Sequence, residues 1–182
     1  GYLWSNNSTS YSVIDASIFT PNQWVHITFT RSADMLYLYK NGISVGTPVN
    51  ITGVTCQNAN VNLLISNNHD SSSVSHFGEW DFKGYISNLR ITKGTARYTA
   101  NFTPSYSYLL PATDITGDLY YDNTVLTLRL DSNYIDVSPK NHTVTPSGNA
   151  GFSTSTYKYG TASLTLDGTG DYISTADSTD SV

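Results

Sequence analysis

Charge is what this sequence has least of. Only 13% of its 182 residues are Asp, Glu, Lys or Arg, nine cations against fourteen anions, for a net charge of −5. The cations stand singly rather than in runs. A phosphate backbone therefore finds no electrostatic footprint, and no nucleic-acid partner is expected. Cysteine is nearly absent as well: Cys56 stands alone, which excludes an internal disulfide framework and leaves a half-buried thiol as the plainest expectation. No apolar run approaches the ~18 residues of a spanning helix, so membrane insertion is not expected. The chain opens on Gly1 without Met or a basic-then-apolar leader, and is expected to be a fragment or processed piece of something longer. Apolar residues nowhere recur at helical spacing over three turns.

What is present is β-forming. Hydrophobic residues make up 38%, dominated by Val, Ile, Leu and fourteen Tyr, and Ser, Thr and Asn fill the polar positions. That mix favours strands with hydroxyl-rich outer faces. In residues 24–31 Val25, Ile27 and Phe29 alternate with His26, Thr28 and Thr30, which predicts a strand with the first set in a core. Leu36 and Leu38 repeat the pattern against Met35, Tyr37 and Tyr39. Asn41-Gly42 then predicts a hairpin turn, because both positions of such a turn need positive φ. Further strands are expected at 61–65, 80–92, 125–130, 142–145, 161–166 and 172–174, with a bulge near Ser87-Asn88 in the long one. Residues 67–75 form a polar loop. Many short strands at roughly ten-residue spacing indicate an all-β sandwich or barrel.

Two groups of motifs carry a family resemblance. Gln23-Trp24-Val25-His26-Ile27-Thr28-Phe29-Thr30-Arg31, Leu38-Tyr39-Lys40-Asn41-Gly42 and Gly84-Tyr85-Ile86-Ser87-Asn88-Leu89-Arg90-Ile91 form the first. They resemble the closing strands of the laminin G-like branch of the concanavalin A-like lectin/glucanase superfamily. The extension from Thr92 to Pro104 resembles the variant found in tandem repeats of phage and environmental surface proteins. The second group is Asp136-Val137-Ser138-Pro139, Tyr159-Gly160-Thr161-Ala162-Ser163-Leu164 and Leu166-Asp167-Gly168-Thr169-Gly170-Asp171-Tyr172. It resembles the opening part of the same domain, so closing precedes opening. The resemblance implies an antiparallel jelly-roll sandwich, concanavalin A-like, either permuted or completed by a neighbouring copy. Residues 1–104 are read as the closing part, 105–124 as a linker or repeat boundary, and 125–182 as the opening part of the same or the next sandwich.

Candidate chemistry is sparse. Asp167-Gly168-Thr169-Gly170-Asp171 reads as a tight turn, with calcium held by Asp167 and Asp171 as the functional alternative and no other cofactor. Some relatives hydrolyse glycosides with Glu, Asp and Glu at alternate strand positions. Here Glu79 and Asp81 are followed by Lys83, which cannot replace the second carboxylate, so no enzyme is expected. His69, Asp70 and His76 share a polar loop without a recognised ligand spacing. Sugar binding needs exposed rings among hydrogen-bonding groups; Trp80 and Tyr98 are the candidates, with Trp4, Tyr106, Tyr108, Tyr120 and Tyr121 behind them. Asn6, Asn7, Asn50, Asn101 and Asn141 open glycosylation sequons, meaningful in a secreted eukaryotic protein. The expected function is a non-catalytic structural or adhesive repeat outside the cell or on a virion. Its partners are copies of itself or adjacent repeats, with cell-surface carbohydrate as the alternative.

Overall fold

A computed structural model describes residues 2–4 (backbone only), 10–17, 19–55, 62–66, 81–105 and 118–176. They carry thirteen strands, all paired antiparallel, and no helix. The chain gathers into two compact units, one from 1–59 and 93–105, the other from 60–92 and 106–181.

The first unit holds β1 (Tyr2–Trp4) paired with β2 (Ser10–Ser12), and a three-stranded sheet of β3 (Ile27–Ser32), β4 (Met35–Lys40) and β5 (Ile43–Asn50). Asn41 and Gly42 both take positive φ, 52° and 80°, at the β4–β5 turn, as their sequence predicts. β4 lies in the middle and is covered on both faces. Leu36 and Leu38 cluster with Val13 and Ile51 on one face. On the other, Tyr39 is 1% exposed, with Phe102 edge-on at 5.5 Å.

This double cover corrects the expected facing of β3. Ile27 and Phe29 are exposed while Thr30 is buried. Register explains it, because directly opposed residues of an antiparallel pair share a face. Thr28 and Thr30 lie opposite Tyr39 and Tyr37, on the face that Phe102 covers. Ile27 and Phe29 lie opposite Lys40 and Leu38, at the margin of the Val13 cluster.

The second unit is a small sandwich. β6 (Leu63–Ile65), β7 (Lys83–Ile86) and β8 (Leu89–Thr92) come from the first half of the chain. β9 (Thr124–Leu128), β10 (Val144–Ser147), β11 (Gly151–Ser153), β12 (Ser163–Asp167) and β13 (Tyr172–Thr175) come from the second. The sheets run β10-β13-β6, β11-β12-β7 and β8-β9. Every strand of the first group pairs with one of the second. Strands from the segments read in sequence as closing and opening parts thus pair inside one unit. Leu126, Leu128, Leu130, Leu164, Leu166 and Ile173 form the buried cluster, each side chain contributing about 1.5–3 kcal/mol of burial.

The expected long strand at 80–92 is two strands. Ser87 and Asn88 interrupt it, Asn88 has φ 58°, and its N–H donates to Arg129 O at 3.1 Å. The break lets β7 pair with β12 and β8 with β9, more than the bulge expected of one continuous strand. Beyond residues 106–117, Asp118 forms an ion pair with Arg90 at 2.9 Å, and a turn leads into β9.

Candidate functional site

The Asp-Gly-Thr-Gly-Asp segment links β12 to β13, and Gly168 and Gly170 both take positive φ. Its carboxylates hold the turn together. Asp171, 1% exposed, accepts the Asn149 N–H at 2.7 Å on one oxygen and the Asp167 N–H at 2.9 Å on the other. Asp167 accepts from Asn149 Nδ2 and the Thr169 N–H, both at 2.8 Å. Those two hydrogen bonds hold the Asp167 carboxyl below its ordinary 3.8. Asp81 adds a third clasp, accepting the Gly170 N–H at 2.6 Å. Calcium takes six to eight oxygens, and among the described residues no group of three His, Cys, Asp or Glu is placed to hold a metal.

The same device recurs twice more in this unit. Asp136, 3% exposed, accepts from the N–H groups of Thr127, Ser138 and His142 and from Ser138 Oγ. Asp131 accepts from the Thr161 and Ala162 N–H groups at 2.8 Å and from Thr161 Oγ1 at 3.0 Å. Carboxylates at chain bends satisfy backbone donors that no neighbouring strand reaches.

The other sequence candidates are scattered. Tyr98 stacks on Phe102 with centroids 3.6 Å apart and planes 9° apart, so one ring face is spent on packing. Arg97 lies 5.9 Å from the Tyr98 centroid. Tyr120 and Tyr121 are half-buried. Trp80, Glu79, Tyr106, Tyr108, His69, Asp70, His76, Cys56, Asn6 and Asn7 lie outside the described residues, as does the Trp4 side chain. Asn50, Asn101 and Asn141 are exposed. Asn50 accepts the Thr52 N–H at 2.8 Å and Asn101 the Ser44 N–H at 2.9 Å. His26 is half-buried, edge-on to Phe102 at 5.6 Å, and burial lowers its pKa from the ordinary 6.5. Of the carboxylate alternation, Asp81 is the turn clasp and Lys83 lies directly opposite Asp167.

One arrangement escaped the sequence reading. On the outer face of the β11-β12-β7 sheet, Tyr85 lies opposite Thr165, which lies opposite Gly151. Tyr85 is 41% exposed, and Phe82 and Tyr157 in the same unit are 46% and 45% exposed. The signal was present in the alternation Lys83, Tyr85 against Gly84, Ile86, but the partner strand is some 80 residues away in sequence.

The fold agrees with the comparison to known families. A laminin G-type model of the concanavalin A-like lectin/glucanases superfamily matches residues 2–97, just over half of the chain. No match was found among curated proteins or among solved structures. The matched span runs from β1 through β8, and β9–β13 complete the sheets in which β6, β7 and β8 lie. The chain belongs to the concanavalin A-like lectin/glucanases superfamily, as a laminin G-like, all-β sandwich protein.

Proposed function

We propose that this chain is a non-catalytic structural or adhesive β-sandwich repeat of an extracellular filament, phage fibre or cell-surface protein, assembling head to tail with copies of itself. Domains of this family serve as lectin-like or adhesive modules, and laminin G-like domains are generally non-catalytic. The observation that carries the assembly reading is the seam of three strand pairs, β6–β13, β7–β12 and β8–β9. It joins two segments that need not come from one chain. The same pairs form if residues 118–176 are supplied by the next copy, and an exchange that does not close on itself propagates as a fibre. The low charge and hydroxyl-rich surface suit a location outside the cell.

Multi-angle light scattering across a concentration series after refolding tests this. Species that grow without a closed size are expected. A monomer unchanged over the whole series would sink the exchange.

Carbohydrate binding is the second reading, favoured by the exposed rings of Phe82, Tyr85 and Tyr157 in one unit. A glycan array with cell-surface polysaccharides tests it, and a blank array removes it.

A further inference from the structure

We propose that the outer face of the β11-β12-β7 sheet is a glycan platform for a neutral pyranose chain, with Tyr85 as the stacking ring and Lys83, Asp167 and Asn149 as its polar rim. The inference rests on the carbohydrate reading and gives it a place and a ligand class.

The face follows from alternation. Leu164 and Leu166 of β12 are buried in the core with Ile86 of β7 packed against them. Ser163, Thr165 and Asp167 therefore point the other way. Opposed residues share a face, which places Tyr85 beside Thr165 and Lys83 beside Asp167. Gly151 follows Thr165 in the same row. Among the described residues, nothing but Asn149 O, 3.6 Å away, comes within contact of where a Gly151 side chain would begin. The row descends from an exposed ring through a threonine to bare backbone over two strand spacings, about 10 Å. That is a stepped strip of sheet with a ring along one side.

Both ends of the strip are fixed by hydrogen bonds. At one, Asn149 Nδ2 and the Thr169 N–H fix the Asp167 carboxylate, which retains lone pairs for a sugar hydroxyl. Lys83, directly opposite, donates. At the other, Ser163 Oγ donates to Thr156 O at 2.6 Å, and Ser153 Oγ accepts the Thr156 N–H at 3.2 Å. These bonds fasten the bend that carries Tyr157. A sugar lays its C–H face on an aromatic ring and turns its hydroxyls to such groups. Lys83 is set against Asp167, with Asp171 and Asp81 at the same turn; that anionic balance disfavours sulfates and uronates, so the ligand is a neutral chain. A site carried on paired strands is already ordered before its ligand arrives. The cavity lined by Leu63, Ile91, Val125, Leu126, His142 and Thr175 admits no more than a water molecule and offers no alternative.

Affinity electrophoresis of the full chain in gels containing hydroxyethylcellulose or galactomannan tests the assignment, with polygalacturonate as the charged comparison. The wild type should be retarded by a neutral polymer, and Tyr85→Ala should lose at least about tenfold in affinity. Tyr85→Phe keeps the ring and should keep binding. Tyr85→Thr, a strand-favouring replacement, should behave as Tyr85→Ala and separates loss of the ring from loss of the fold. Retention by Tyr85→Ala together with loss in Tyr98→Ala would overturn this site and leave the carbohydrate reading standing. Binding to polygalacturonate alone would overturn the ligand class. A wild type that no polymer retards would overturn the site and the carbohydrate reading together.

Discussion

Single carboxylates at chain bends do work here that a disulfide or a metal does in many other small folds. Asp136 is the most committed of them, buried and accepting three backbone N–H groups. Asp136→Ala leaves those donors without their acceptor and should cost about 2–4 kcal/mol, measured as a fall in the denaturation midpoint. His26 sets a different dependence. Its burial lowers the folded-state pKa beneath 6.5, so the unfolded chain takes up the proton first as pH falls. Stability should decline from about pH 6.5 downward until the folded-state value is passed. His26→Gln should flatten that part of the melting-temperature profile, and an unchanged slope would assign it to other groups. At this scale the sequence was only partly legible. Gly168, Gly170 and Asn41-Gly42 announced their turns, because positive φ restricts residue choice. The burial of Asp136 and Asp171 did not show, because an isolated Asp looks the same whether it is solvated or clasping a distant N–H.

Among elements, the β4–β5 hairpin is where turn chemistry and packing constrain each other most. Gly42 has φ 80°, and a Cβ there would run into Phe102 O, while the Phe102 N–H donates to Gly42 O at 2.9 Å. Gly53 has a similar φ of 74° but, among the described residues, nothing within 4 Å of its missing Cβ. Gly42→Ala should therefore cost about 2–4 kcal/mol and Gly53→Ala about 1 kcal/mol. Parallel urea titrations of the two variants check the difference, and equal losses would show that backbone strain alone sets the cost. Strand identity was readable wherever alternation was strict, as in β4 and β12. Facing was misread at β3, where an apolar face lies at a cluster margin while Thr30 is buried, and continuity at 80–92, where Asn88 divides the strand between two partners. Both depend on which strand lies alongside, and local sequence carries no record of that.

For the whole molecule, the decisive fact is that β6, β7 and β8 are held by strands from the far end of the chain. If a protease site is introduced within 106–117 and cut, the two pieces should co-migrate in size-exclusion chromatography under native conditions and separate in denaturant. Separation under native conditions would show that the three strand pairs do not suffice to hold the segments together. The family was legible in the motifs read as closing and opening parts, and its match over residues 2–97 agrees with the fold class. The pairing of those parts was not, since nothing local distinguishes a partner in the same chain from one in the next.

The distance between paired strands also sets a timetable. Ile65 and Ile173 are neighbours in one sheet yet about 110 residues apart in the chain. At about 5–20 residues per second of synthesis, β6 waits roughly 5–20 s for β13 to be made. During that interval the nascent chain presents strand edges that a neighbour on the same message could occupy first. Spacing between ribosomes, rather than protein concentration, would then decide whether a copy closes on itself or joins the next.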